Sequence, residues 1–67
     1  MAVAKVIEIT AASTDSFEDA IRQGIVKASE TVRGIQGAWV KEQKVEVTQD
    51  GSISEYRVDL KVTFVLD

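Results

Sequence analysis

Two side chains in this sequence are suited to recognising a small molecule, and neither belongs to a catalytic set. Trp39 is the only tryptophan. An indole stacks well on a flat ligand, but tryptophan is also enriched where subunits meet, so a ligand platform and an interface contact are both open readings. Arg57 lies in a strictly alternating stretch. Its guanidinium could clamp a phosphate or carboxylate through two hydrogen bonds, or pair with Glu55, Asp59 or a neighbouring subunit's carboxylate. Asp15, Glu18 and Asp19 gather beside a Ser-rich segment. That placement suits the positive end of a helix, while an oxygen-rich calcium site shared between subunits would draw on the same residue types. Histidine and cysteine are both absent. The commonest general base, the commonest metal ligand and thiolate chemistry are therefore missing, and no motif sets a nucleophile beside a base. The expectation is a protein that binds and does not catalyse.

The bulk properties narrow the class further. Sixty-seven residues, 45% hydrophobic and 28% charged, make one small domain spanning 1–67. Domains of this size usually need a disulfide, a metal or self-association to be stable. With no cysteine and no histidine, self-association is the expected staple. A net charge of −3 and scattered basic residues speak against nucleic acid as a partner. No apolar run approaches the roughly 20 residues of a membrane span. The N-terminal stretch lacks the three regions of a signal peptide. A soluble, cytoplasmic protein is expected.

The elements that must position Trp39 and Arg57 follow from periodicity. Residues 3–10 are short and rich in β-branched side chains, which predicts a strand. Residues 11–15 are small and polar and predict a loop, with Ser13 or Ser16 capping the helix that follows. Phe17, Ala20, Ile21, Gly24, Ile25, Ala28, Ser29 and Val32 then recur at helical spacing, which predicts about 17 helical residues ended by Gly34. The small members Ala20, Gly24 and Ala28 would let another element approach closely. Residues 38–48 predict a second strand, Asp50-Gly51 a hairpin turn, and residues 53–66 a third strand. In that last strand Tyr56, Val58, Leu60, Val62, Phe64 and Leu66 share the face expected to cover the helix. Glu55, Arg57, Asp59, Lys61 and Thr63 share the other. The second strand is less regular, because apolar parity flips between Val40 and Val45. A bulge would do this, as would two halves packing on different partners. The fold class is α+β, with order β-α-β-β and a three-stranded antiparallel sheet against one helix.

Three segments carry a family resemblance. Lys5-Val6-Ile7-Glu8-Ile9, Ser13-Thr14-Asp15-Ser16-Phe17-Glu18-Asp19-Ala20-Ile21 and Tyr56-Arg57-Val58-Asp59-Leu60-Lys61-Val62-Thr63-Phe64 resemble, in order and spacing, the opening strand, helix entry and closing strand of the dodecin family. The closing strand of that family usually reads Tyr-Gln-Val-x-Leu-x-Val-x-Phe. The resemblance implies a hollow homododecamer whose sheets partly wrap the helix. It implies a non-enzymatic store or buffer for flavin (riboflavin or FMN), with coenzyme A a second ligand class. In such proteins a second-strand tryptophan stacks on the flavin ring and a third-strand glutamine bonds its polar edge.

This sequence departs at both positions. Aligning Val40 with the valine of the family's Trp-Phe-Glu-Val segment puts Gly37 where the tryptophan belongs. Arg57 stands where the glutamine belongs, and arginine has no acceptor with which to match a flavin's mixed edge. Trp39 falls two residues later, on the same strand face, where it would make a shifted platform. The alternative is an assembly that does not bind flavin and serves a structural or ion-binding role.

Overall fold

The computed structural model describes residues Val3–Leu66. Their order is β1 (Val3–Ser13), α1 (Phe17–Ser29), β2 (Ile35–Val47) and β3 (Ile53–Leu66). The three strands form one antiparallel sheet in the order β1-β3-β2, so the last strand of the chain is the central one. Its alternation decides the two faces of the whole sheet.

Val58, Leu60 and Val62 of β3 are fully buried beneath α1, together with Ala20. Ile7, Ile9 and Ala11 of β1 stand directly opposite Val62, Leu60 and Val58 and extend the same apolar face. The helix closes over it with Phe17, Ile21 and Ile25. Gly24 is buried and leaves little room: a Cβ would lie 3.0 Å from Ala11 Cβ and 3.2 Å from Leu60 Cδ1. The small residues of the stripe thus set how near the helix comes to the sheet. Phe17 and Tyr56 meet edge to face with centroids 5.1 Å apart, which fixes the start of the helix over β3.

Three boundaries differ from expectation. β1 continues through Ala11, Ala12 and Ser13, which pair with Val58, Arg57 and Tyr56. Pairing with a buried central strand outweighs the weak strand preference of Ala and Ser. The helix is 13 residues long and ends at Ser29, although Val32 N–H still bonds the Ala28 carbonyl at 2.9 Å. Gly34 is not the helix stop. Its φ of 76° turns the chain into β2, and its carbonyl accepts from Val65 N–H at 3.0 Å. β2 accordingly starts earlier, at Ile35.

The helix cap is Ser16, whose Oγ accepts from Asp19 N–H at 3.0 Å. A cap of this kind contributes about 1 kcal/mol. Ser13, buried at the end of β1, does different work: its Oγ accepts from Asp15 N–H and donates to the Asp19 carboxylate at 2.6 Å. That bond first, and one from Gln23 second, hold the Asp19 carboxyl below the usual range. Glu18 and Asp19 lie in the first turn, so the acidic residues of this segment serve the helix start.

The parity flip in β2 is a bulge. Val40 pairs with Leu60 and Glu42 with Asp59, leaving Lys41 as the extra residue. Val40 and Val45 thereby come to the same face, opposite Leu60 and Tyr56. The helix packs on β1 and β3 and leaves that side of β2 without cover. Val40, Val47 and Ile53 are exposed. Because β1 ends opposite Tyr56, the tip of the β2–β3 hairpin projects beyond β1, and the 14-residue β3 accounts for most of the subunit's 53 Å length.

Candidate functional site

The face of the sheet turned away from α1 carries Trp39, Gly37 and Arg57, the residues singled out for binding a small molecule. The strand register lays it out in rows across β1, β3 and β2: Val6–Thr63–Gly37, then Glu8–Lys61–Trp39, then Thr10–Asp59–Glu42, then Ala12–Arg57–Lys44. Residues directly opposed in antiparallel strands share a face. Trp39 and Gly37 are therefore neighbours on one surface.

The Trp39 side chain is half exposed, at 51%. Beside it a Cβ on Gly37 would meet nothing within 4 Å. The indole thus borders an open shelf floored by glycine and Thr63. Arg57 is on the same face but elsewhere: it is four residues from the Trp39 row along β3, a separation of about 14 Å at the strand rise. Trp39 and Gly37 come together, and Arg57 does not join them within one subunit.

Arg57 donates through Nε to Glu55 Oε1 at 2.7 Å, which leaves its terminal nitrogens available. Its direct neighbour on β2 is Lys44, which has no carboxylate within salt-bridge distance among the described residues. Like charges directly opposed across a ladder are destabilising unless something anionic stands between them. The two cations border an open hollow of about 240 Å³ that also takes in Thr10, Glu42 and Asp59. Lys44 did not stand out in the sequence; only the register after the bulge puts it opposite Arg57.

The other charges of this face largely pair within the subunit. Lys61 Nζ lies 3.6 Å from Glu8 Oε1, and Lys41 Nζ reaches Glu8 Oε2 at 3.4 Å. Exposed pairs of this sort contribute about 0–1 kcal/mol each. Asp59 is the exception, because its Oδ1 is shut away from solvent with no donor. No group of three or more acidic side chains is gathered for a metal ion among the described residues of one subunit.

Comparison with known proteins agrees with this geometry. The dodecin family model matches residues 3–67. The chain belongs to the dodecin family. Its sequence is 39% identical over 64 residues to the calcium dodecin of Mycobacterium tuberculosis, covering 96% of this chain and 89% of that protein. A crystal structure of that protein, described as calcium-chelating with a calcium-binding site, superimposes with a TM-score of 0.82 at 37% identity, covering 97% of this chain and 91% of that one. The dodecin from Streptomyces davaonensis superimposes with a TM-score of 0.92 at 33% identity, covering 98% of this chain and 96% of its own. The β-α-β-β fold with its antiparallel three-stranded sheet is thus the dodecin fold. No helix among the described residues is long and apolar enough to cross a membrane.

Proposed function

We propose that this dodecin is a cytoplasmic, non-enzymatic single-domain subunit of a homododecameric shell that holds a small planar ligand, flavin being the leading candidate and coenzyme A the next. The observation that carries the binding site is the half-exposed Trp39 beside the open shelf at Gly37. A flavin ring would stack on Trp39 in a position shifted by one row from the one implied by the family's usual tryptophan. Self-association is supported by the uncovered apolar side of β2, where Val40 is joined by Val47 and Ile53 near the hairpin tip. A chain this small without a disulfide needs such burial to be stable.

The ligand's polar end is argued from Lys44 and Arg57. Two cations without an acceptor between them suit phosphate better than the mixed donor and acceptor edge of a neutral ring. FMN is therefore expected to bind more tightly than riboflavin, with the phosphate end of an extended ligand, and not its ring, reaching this pair. Titrating the protein into riboflavin and FMN while following flavin fluorescence and Trp39 emission tests both points. Strong quenching with FMN favoured is the expected result. An absence of quenching at tens of micromolar protein would sink the flavin assignment. Calcium binding is the second reading, and the observation favouring it is the 39% identity to a calcium dodecin. A calcium-dependent change in Trp39 emission without any flavin response would turn the assignment to that reading. The ligating oxygens would then have to come from more than one subunit.

A further inference from the structure

The row that carries Trp39 also carries charge. Glu8 of β1 stands directly opposite Lys61 of β3, and Lys61 directly opposite Trp39 of β2. The backbones of Glu8 and Trp39 are therefore two strand spacings apart, about 10 Å. That is the span of a flat heterocycle of three fused rings. The adjoining row, Val6–Thr63–Gly37, is uncharged. It is open at Gly37, and Val6 at its other end is exposed. One end of the shelf thus has the indole beside it and the other has the Glu8 carboxylate.

The two oxygens of Glu8 are each faced by a different ammonium. Lys61 Nζ lies 3.6 Å from Oε1, and Lys41 Nζ donates to Oε2 at 3.4 Å. Lys41 comes from the far side of β3, and the bulge leaves it as the extra residue of β2. The order is donor, acceptor, donor. An ammonium has three hydrogens and a carboxylate about four acceptor positions, so each group has room for a further partner. The side chains of Lys61, Glu8 and Lys41 are 32%, 42% and 44% exposed, so a ligand can reach them. Exposed ion pairs of this kind add little to stability, which leaves the cluster free for recognition.

We infer that Lys61, Glu8 and Lys41 recognise the imide edge of a flat heterocycle seated against Trp39. An imide presents a carbonyl, an N–H and a second carbonyl side by side. The carboxylate takes the N–H and the two ammoniums take the carbonyls. This rests on the reading of Trp39 and Gly37 as a ligand shelf. It assigns the ring edge to Glu8 and leaves Lys44 and Arg57, two rows further along, to a phosphate. Adenine has no N–H between two carbonyls and does not fit the cluster.

Lumiflavin tests the inference, because it is an uncharged flavin ring without a phosphate-bearing tail. Fluorescence titration should show that the wild type binds it at least about tenfold more tightly than 3-methyllumiflavin, in which the imide N–H is replaced by a methyl group. Glu8→Ala should bind lumiflavin at least about tenfold more weakly than the wild type and no longer distinguish the two rings. Its denaturation midpoint should stay close to that of the wild type. Glu8→Gln keeps the size of the side chain and a neutral acceptor, and should weaken binding in the same direction by a smaller factor if Glu8→Ala does not fold. Lumiflavin bound equally by the wild type and the Glu8 variants would overturn the inference and leave the Trp39 shelf standing. No response of wild-type Trp39 emission to lumiflavin would overturn the shelf and the inference together.

Discussion

Gly24→Leu is expected to abolish the folded subunit or its assembly. A Cβ at this position already lies 3.0 Å from Ala11 Cβ and 3.2 Å from Leu60 Cδ1, and leucine adds three further carbons in the same direction. Ala11 is on β1 and Leu60 at the centre of the buried set, so relief requires the helix to lift from the sheet. Overpacking in a well-filled core costs about 1–3 kcal/mol and sometimes more. In a domain this small that is a large share of the available stability. Gly24→Ala should be much milder, because its strained contacts are set against a gain of about 1 kcal/mol in helix preference. Urea denaturation compared with subunit mass checks both variants. A Gly24→Leu protein with a wild-type midpoint and wild-type mass would mean that the helix does not pack as described.

The largest expected effect on binding is a gain. Gly37→Trp places an indole where the family resemblance implies one, in a spot where the new Cβ meets nothing within 4 Å. The variant is expected to fold, since the shelf is open and on the face opposite the core. Combined with Arg57→Gln, which supplies both a donor and an acceptor for the ring edge, it should bind riboflavin at least about tenfold more tightly than the wild type, which corresponds to about 1.4 kcal/mol. The preference for FMN over riboflavin should shrink in the same variant, because half of the Lys44–Arg57 pair is gone. Fluorescence titration of both flavins reads both effects. Equal affinities in wild type and double variant would show that these two positions do not control flavin recognition in this chain.

Much of the fold was legible because the central strand is so regular. Tyr56 through Phe64 alternate without fault, and Val58, Leu60 and Val62 are the residues that end up fully buried. The helical stripe was equally clear at Ala20 and Gly24, which need small side chains for a geometric reason the spacing alone suggested. The boundaries were less legible, since tertiary pairing decided them. Ala11, Ala12 and Ser13 are poor strand formers that β3 recruits, and Val32 continues the helical pattern after the helix has ended.

The site was legible in part. Trp39 and Gly37 could be placed on one face by counting along a strand, and they are on one face. The pairing of Lys44 with Arg57 and the reach of Lys41 to Glu8 could not be counted, because both depend on the extra residue in β2. Parity revealed that a break lay somewhere between Val40 and Val45, but not which residue was the extra one. The alternation of β3 put Glu55, Arg57, Asp59 and Lys61 on one face but did not show which of them would pair. Most of them are neutralised within the subunit, and Asp59 alone keeps an unmet need.

The claim on which the proposed function rests is that the uncovered side of β2 is buried against other copies of the same chain. Light scattering at neutral pH tests it directly. The expected mass is about twelve times the 7.3 kDa subunit. A mass near 7.3 kDa would contradict the account, because Val40, Val47, Ile53 and Trp39 would then stand in water on a monomer with no staple to hold it folded.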